Sequence, residues 1–297
     1  MQDSYKTTML KSLTYFVSER ESIRLLREKG EASPWTEDAI LHKYRFCNIR
    51  RRDDRVSKWI IDNIIEPHSS NDWLWMMLCA ARYINWPPTI KELMDKGEWP
   101  VHSFSATSFG KVIDDKMKRN EKTWTGAYII TGRNIPKGMD KGYFIAKQMI
   151  EPLFSAHSII DYFADVEPED RSVETAMSLF KGIYGWGTFM VGQAVADMTY
   201  SPLLGLAKDL HTYAPIGPGS TRGLNRIYDR PLEQATQQDR FNDELMEVRE
   251  FVKSHAMIDV SSLTLHDWQN CMCEFDKYKR AVHGGRPRSN YTSETAF

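Results

Sequence analysis

The chain reads as a mainly α protein. Apolar residues recur at three- and four-residue spacing through most of its length. The periodic segments end on glycine, proline or capping residues, the usual punctuation of helices. Strand signal, meaning alternation of β-branched and aromatic residues between turn signals, is sparse.

In chain order, residues 7–30, TTMLKSLTYFVSERESIRLLREKG, predict a helix that stops at Gly30. Residues 33–46, SPWTEDAILHKYRF, open with a cap and carry Pro34 inside the expected first turn. RVSKWIIDNII (55–65) and DWLWMMLCAARYI (72–84) are short apolar helices, the second expected to halt at Pro87-Pro88. TIKELMDKGEW has Thr89 as its expected cap. TWTGAYIITGRNIPKG (123–138) is bounded by glycines and reads as a short strand or extended loop. GYFIAKQMIEPLFSAHSIIDYFA (142–164) reads as one long amphipathic stretch. QQDRFNDELMEVREFVKSH (237–255) and LTLHDWQNCMCEFDKYKRAV (263–282) are helical by period.

With 297 residues and 41% apolar content, the chain is expected to form a single compact helical body over 1–297. Two lobes of about 1–165 and 166–285, with a cleft between them, are the alternative; residues 285–297 read as a flexible polar tail. The 39 Lys and Arg balance 40 Asp and Glu, so nucleic acid must be met by local basic clusters rather than the whole molecule's field. The 9 Trp and 13 Tyr are available as stacking surfaces. None of the four cysteines forms a CxxC pair, and Cys271 and Cys273 are too close for an easy disulfide, which points to a reduced, intracellular protein. Zinc at Cys271, Cys273 and His266 is disfavoured by the C-x-C spacing and the missing second ligand pair. No apolar run reaches the roughly 20 residues of a membrane span.

Three regions carry candidate chemistry. The first spans Val173 to Asp197, a helix, a turn holding Tyr184, Gly185, Trp186 and Gly187, and a second helix whose first amides are free to meet a phosphate; plain helical packing is the other reading. The loop GPGSTRG follows, where Gly217, Gly219 and Ser220 offer bare backbone, Ser220 or Thr221 is expected to cap the next helix, and Arg222 suits an anion. The second region is YRFCNIRRRDDRVSKW. On a helix, Arg51 and Arg55 would share a face with Asn48 beside them, and with Arg52 they suit bidentate phosphate contact. A solvated helix with internal ion pairs is the alternative. The third is LHDWQNCMCEFDKYKR, where Cys273, Asp276, Lys277 and Arg280 line one helical stripe and Glu274 and Tyr278 another. A carboxylate beside a lysine suits a general base; ordinary helix electrostatics is the competing account.

Taken together and in order, FCNIRRRDDR, GIYGWGTFMVGQAVAD with APIGPGSTRGLNR, and CEFDKY resemble the phage α-glutamyl/putrescinyl-thymine pyrophosphorylases, or amino acid:DNA transferases, over residues 40 to 280. They are similar, more distantly, to the helical domain attached to some 5-hydroxymethyluracil DNA kinases. The resemblance implies a helix-hairpin-helix, DNA-glycosylase-like architecture. It implies transfer of an amino acid onto (pyro)phosphorylated 5-hydroxymethyluracil in phage DNA, with base flipping. It further implies double-stranded DNA containing modified uracil and a free amino acid as partners, no cofactor, no membrane, a functional link to a DNA kinase, and the cytoplasm of the infected host as location.

On that reading Glu274, Asp276 or Asp54 is the base. Asn48, Arg51, Arg52, Arg55, Arg222 and Lys277 hold the (pyro)phosphate or the amino acid. Tyr184, Gly185, Trp186, Gly187, Gly217, Gly219 and Ser220 meet DNA. Helix-hairpin-helix glycosylases place a catalytic aspartate in the loop after the hairpin; APIGPGS has none, since Asp197 comes too early and Asp209 precedes the loop. A glycosylase of another design and a non-catalytic DNA-binding module remain the alternatives. No GxxxxGK[ST] motif is present, so phosphorylation by a P-loop is not expected.

Overall fold

A computed structural model describes residues 2–101, 103–125 and 134–285. About 60% of the chain is helical, and no strand occurs among the described residues. Residues 126–133, the middle of the expected extended stretch, and the tail from 286 lie outside the described residues.

Helix α1 (Gln2–Glu28) ends just before Gly30, whose φ of +75° suits glycine and stops the helix where expected. Pro34 does not open a helix. Helix α2 (Ala39–Lys43) starts later, where the Asp38 carboxylate accepts from the N–H groups of Ile40 and Leu41 at 2.8 and 3.0 Å. Arg51–Asp53 form a single 3-10 turn, and α3 (Arg55–Ile60) begins only after it, continuing into a π-helical turn at Ile61–Ile65. Arg51 and Arg55 therefore share no helical face, because Asp54 between them is extended with ψ of 139°.

Helix α4 (Leu74–Ile84) is ended by Asn85, left-handed at φ 48°, and not by the prolines. Pro87-Pro88 instead open α5 (Pro87–Asp95), where a missing N–H costs nothing. Thr89 is inside α5 and caps nothing; its Oγ1 donates to the Thr123 carbonyl at 2.9 Å. Helix α6 (Ala106–Lys118) is capped by Ser105.

The expected long helix over 142–164 is broken into α7 (Lys141–Ile145), a π turn (Ala146–Ile150), a 3-10 turn (Glu151–Ser155) and α8 (His157–Asp165). Pro152, which has no N–H and clashes with the preceding turn, sits at the break. Helices α9 (Val173–Leu179) and α10 (Thr188–Met198) form the hairpin. Helix α11 (Pro218–Ile227) has Gly217 as its N-cap; Ser220 and Thr221 lie within it and do not cap it. Helices α12 (Gln238–His255) and α13 (Leu265–Val282) match the periodic segments, α13 opening with a capping box between Thr264 and Asp267.

The chain forms two compact units, Met1–Asp54 with His211–Phe297, and Arg55–Leu210. The boundaries fall at 54/55 and 210/211, not near 165. In the first, here the terminal unit, α1, α11, α12 and α13 enclose Leu13, Phe16, Val17, Phe241, Leu245, Trp268 and Phe275. Gly219 and Gly223, four apart on α11, let that helix lie directly on α13. A Cβ at Gly219 would come within 2.4 Å of Cys273 Sγ, and one at Gly223 within 2.4 Å of the Met272 carbonyl oxygen.

In the second, the central unit, every residue of α4 is buried and the helix packs on α10. Helices α6 and α7 meet through Gly110 and Gly142, and Asp114 accepts the Gly142 and Tyr143 N–H groups at 2.6 and 3.0 Å. No helix among the described residues is long and apolar enough to cross a membrane.

Candidate active site

On α1, Leu13, Phe16, Val17 and Arg20 fall at helical spacing, so Arg20 is carried into the core with its apolar neighbours and is only 6% exposed. A buried guanidinium needs acceptors. Arg20 donates to the Cys47 carbonyl (3.2 Å), the Phe46 carbonyl (3.1 Å) and Asn48 Oδ1 (3.2 Å), which fixes residues 46–48 against the helix. Asn48 in turn donates its N–H to Asp54 Oδ1 at 2.9 Å and its Nδ2 to the Asp53 carbonyl at 2.8 Å.

Helix α13 supplies the opposite wall. Glu274 Oε2 accepts the Cys47 N–H at 3.0 Å and Lys277 Nζ at 3.2 Å, and Lys277 also donates to the Arg45 carbonyl. The Arg51 N–H donates to Asp267 Oδ1 at 3.0 Å, and its guanidinium lies 3.4 Å from His266 Nε2. The second and third sequence regions are thus one site. Glu274, Asp54, Asn48, Arg51 and Lys277 come together there, joined by Arg20, His266 and Asp267.

Burial displaces the titration of this centre's groups. Burial pushes the Asp54 carboxyl up to about 6, against the Asn48 N–H bond and Arg51 and Arg20, which hold it down; the Glu274 charge adds to the rise. Burial, with Arg51 beside it, pushes His266 down to about 3. Its imidazole is therefore neutral near pH 7, and its buried Nδ1 has no hydrogen-bond partner among the described residues. Burial raises the Asp267 carboxyl and the Cys47 thiol and lowers Arg20. A carboxyl that titrates near neutrality, among buried cations, is equipped to take up a proton while anions are held nearby.

The remaining candidates lie elsewhere. Asp276 is fully buried and accepts from Arg222 Nε (3.1 Å), Arg226 Nε (2.8 Å) and Arg280 Nε (3.2 Å). Arg52 and Arg55 are exposed, Arg55 as the first residue of α3. Gly219 faces Cys273 and Ser220 is fully buried, its hydroxyl donating to the Gly217 carbonyl at 2.9 Å; a Cβ at Gly217 would meet the Gln269 side chain. The expectation that Gly219 and Ser220 offer backbone to DNA is corrected: both are consumed by the packing of α11 on α13.

In the hairpin, Gly185 takes φ +82° and its carbonyl accepts Tyr83 OH at 2.8 Å. Trp186 is buried, with Nε1 donating to the Met149 carbonyl at 2.7 Å. Both face the interior of the central unit rather than a ligand. Gly187 is exposed with open space around it, and Tyr184 and Phe189 flank it at 49% and 55% exposure.

The central unit holds a second buried ionic pair. Arg82 donates Nε and Nη2 to the two oxygens of Asp197, both at 2.5 Å, and the remaining donors reach Ser57 Oγ (2.7 Å) and Asn85 Oδ1 (3.0 Å). Asp209 caps α9, accepting the Val173 and Glu174 N–H groups at 2.6 and 3.0 Å.

Sequence reasoning missed Arg20, Arg82, Asp267 and Arg226, and weighed His266 only as a metal ligand. A signal existed for the first two, since each is an arginine on an otherwise apolar helical face. Burial of His266 and Asp267 depends on contacts from residues far away in the chain and leaves no local mark.

No solved structure matches the chain. It is 22% identical over 249 residues to a 5-hmdU DNA kinase of Bacillus phage SP10, an alignment that covers 72% of this chain and 36% of the relative. The chain thus spans little more than a third of that relative's length. A family model described as the helical domain of 5-hmdU DNA kinase matches residues 7–286, nearly the whole length, and the chain belongs to that family.

Proposed function

We propose that the chain acts on DNA carrying 5-hydroxymethyluracil and performs the amine-transfer step of thymine hypermodification. The supporting observation is the Asp54 carboxyl, pushed up to about 6 and enclosed with Glu274, Arg20 and Arg51. The substrate is a 5-(pyro)phosphomethyluracil flipped from the duplex. The nitrogen of an amino acid attacks the exocyclic methylene carbon. A C–N bond forms as the C–O bond breaks, the (pyro)phosphate leaves with the bonding electrons, and the nitrogen's surplus proton passes to the base. Glu274 or Asp54 is that base. Asp276, with both oxygens on arginines, is less suited than either.

Arg51 takes the (pyro)phosphate, with Asn48 orienting the Asp54 carboxylate through its N–H. Lys277, on Glu274, takes the amino acid's carboxylate. The α9–α10 hairpin serves as a helix-hairpin-helix element, with the N–H groups at Gly187 on a DNA phosphate and Tyr184 beside them. Neither Asp197, bound to Arg82, nor Asp209, capping α9, is placed as a glycosylase acid, which favours chemistry on the exocyclic carbon over base excision.

One observation favours a second reading. The chain corresponds to part of a longer kinase, and therefore also suits a DNA-recognition module that works with a separate kinase.

The test is incubation with duplex DNA bearing pyrophosphorylated 5-hydroxymethyluracil and a mixture of amino acids, followed by mass spectrometry of the nucleosides. An amino-acid adduct that disappears in Glu274→Gln, while duplex binding is retained, is the expected result. No adduct with any amine rejects amine transfer. Release of free base would assign a glycosylase, and stimulation of a 5-hmdU DNA kinase without any product of its own would assign the module.

A further inference from the structure

The Asp276 cluster has a composition that fold stability does not require. One buried carboxylate would be balanced by one guanidinium, yet three converge on it, Arg222 and Arg226 one turn apart on α11 and Arg280 one turn after Asp276 on α13. Each contacts the carboxylate through Nε. Among the described residues, the terminal nitrogens of Arg226 and Arg280 have no hydrogen-bond partner, and Arg222 Nη1 has only Glu233, 3.8 Å away and 82% exposed in its side chain. Side-chain exposure rises from 13% at Arg226 through 26% at Arg222 to 50% at Arg280, so the cluster runs from the core to solvent. Lys279 adds to it: burial and the adjacent Arg226 charge both draw its pKa down.

We infer that Arg222, Arg226 and Arg280, held in register by Asp276, form a binding site for a phosphoryl group, separate from the Asp54–Glu274 centre. An arginine fixed through Nε keeps its two Nη groups as a planar fork, the geometry that matches two oxygens of a phosphate. Three such cations on one carboxylate leave a surplus of two positive charges, and among the described residues the further carboxylate paired with them is exposed Glu233. Asp276 is a positioning residue. It restrains three long side chains that would otherwise lose rotamer freedom on binding, and Gly219 and Gly223 bring the two helices close enough for one carboxylate to serve all three. The phosphoryl group has two possible sources, the backbone of DNA or a free (pyro)phosphate.

The inference does not depend on amine transfer, and its test uses binding alone. The full-length chain and its Arg226→Gln and Arg280→Gln variants are titrated with inorganic phosphate, inorganic pyrophosphate and a fluorescent 20-base-pair duplex at fixed ionic strength. Lys111→Gln, which removes an exposed charge from α6, is the control for general electrostatics. Each arginine variant is expected to weaken binding by about tenfold, the equivalent of one charge-assisted hydrogen bond. Loss confined to the duplex assigns a backbone phosphate; loss with pyrophosphate or phosphate assigns the free anion; both support the site. Arg280 is half-exposed, so Arg280→Gln is expected to fold, and circular dichroism checks it. If the folded variant binds all three probes as the parent does, or if Lys111→Gln weakens duplex binding equally, the inference is wrong.

Discussion

Each unit buries an arginine on an apolar helix face, and the two environments are opposites. In the central unit Arg82 meets Asp197 through two parallel bonds, and Ser57 and Asn85 take other donors, so one cation faces one anion. In the terminal unit Arg20 binds carbonyls instead of a carboxylate, Asp54 is pushed toward its neutral form, and His266 is held neutral with a nitrogen that has no partner among the described residues. A closed pair holds a fold. An unbalanced centre stores the capacity to exchange a proton or take up an anion, which is why we propose the chemistry there.

The largest expected effect tests the closed pair. Asp197→Ala leaves Arg82 buried without its counter-ion and should cost about 3–5 kcal/mol of stability in urea denaturation. A loss below about 1 kcal/mol would mean that the pair is not the closed structural element described.

His266 and Asp54 come next, and their slopes oppose each other. The folded pKa of His266 lies below its unfolded value, so the folded state binds fewer protons. Stability from this group is complete above about 6.5 and falls as pH drops toward 3, by up to about 4 kcal/mol. His266→Asn should remove that acid-side loss between pH 4 and 6.5. Asp54 runs the other way. Its folded pKa of about 6 lies above its unfolded value, so ionisation costs the folded state about 2–3 kcal/mol as pH rises from 4 to 7. Asp54→Asn should therefore stabilise the protein at pH 7 while lowering amine-transfer activity by about a hundredfold. If Asp54→Asn destabilises as Asp197→Ala does, the two centres are of one kind.

How much of this was legible follows from the range of each interaction. Helices α1, α12 and α13 were readable because their period and their stops are local: Gly30 and the Thr264–Asp267 box need no distant partner. The break of 142–164 has a local signal in Pro152, which the apolar spacing around it masks. The three clusters were visible as residue types, but not their grouping. Cys47 and Glu274 are 227 positions apart, and nothing near either names the other. Asp276 looked like a base because its helix stripe showed Lys277 and Arg280. The two arginines that occupy it most closely come from α11, 50 and 54 positions away.

The glycines provide the smallest and most discriminating test, because the hairpin and loop glycines, expected to share one role, divide into open and packed positions. Gly187, in the hairpin, has nothing within 4 Å of a prospective Cβ and an ordinary negative φ of −72°. Gly187→Ala should change stability by no more than about 0.5 kcal/mol. Gly223 is inside α11, where exchange for alanine would by itself favour the helix by up to about 1 kcal/mol. Its Cβ, however, would meet the Met272 backbone oxygen at 2.4 Å, an atom that cannot rotate away. The helices would have to separate, at a cost of about 1–3 kcal/mol that outweighs the propensity gain. Separation would also draw Arg222 and Arg226 from Asp276, so Gly223→Ala should weaken phosphate or duplex binding together with stability, whereas Gly187→Ala could affect only duplex binding. A stable Gly223→Ala variant with unchanged anion affinity would show that close packing of α11 on α13 is not what assembles the arginines.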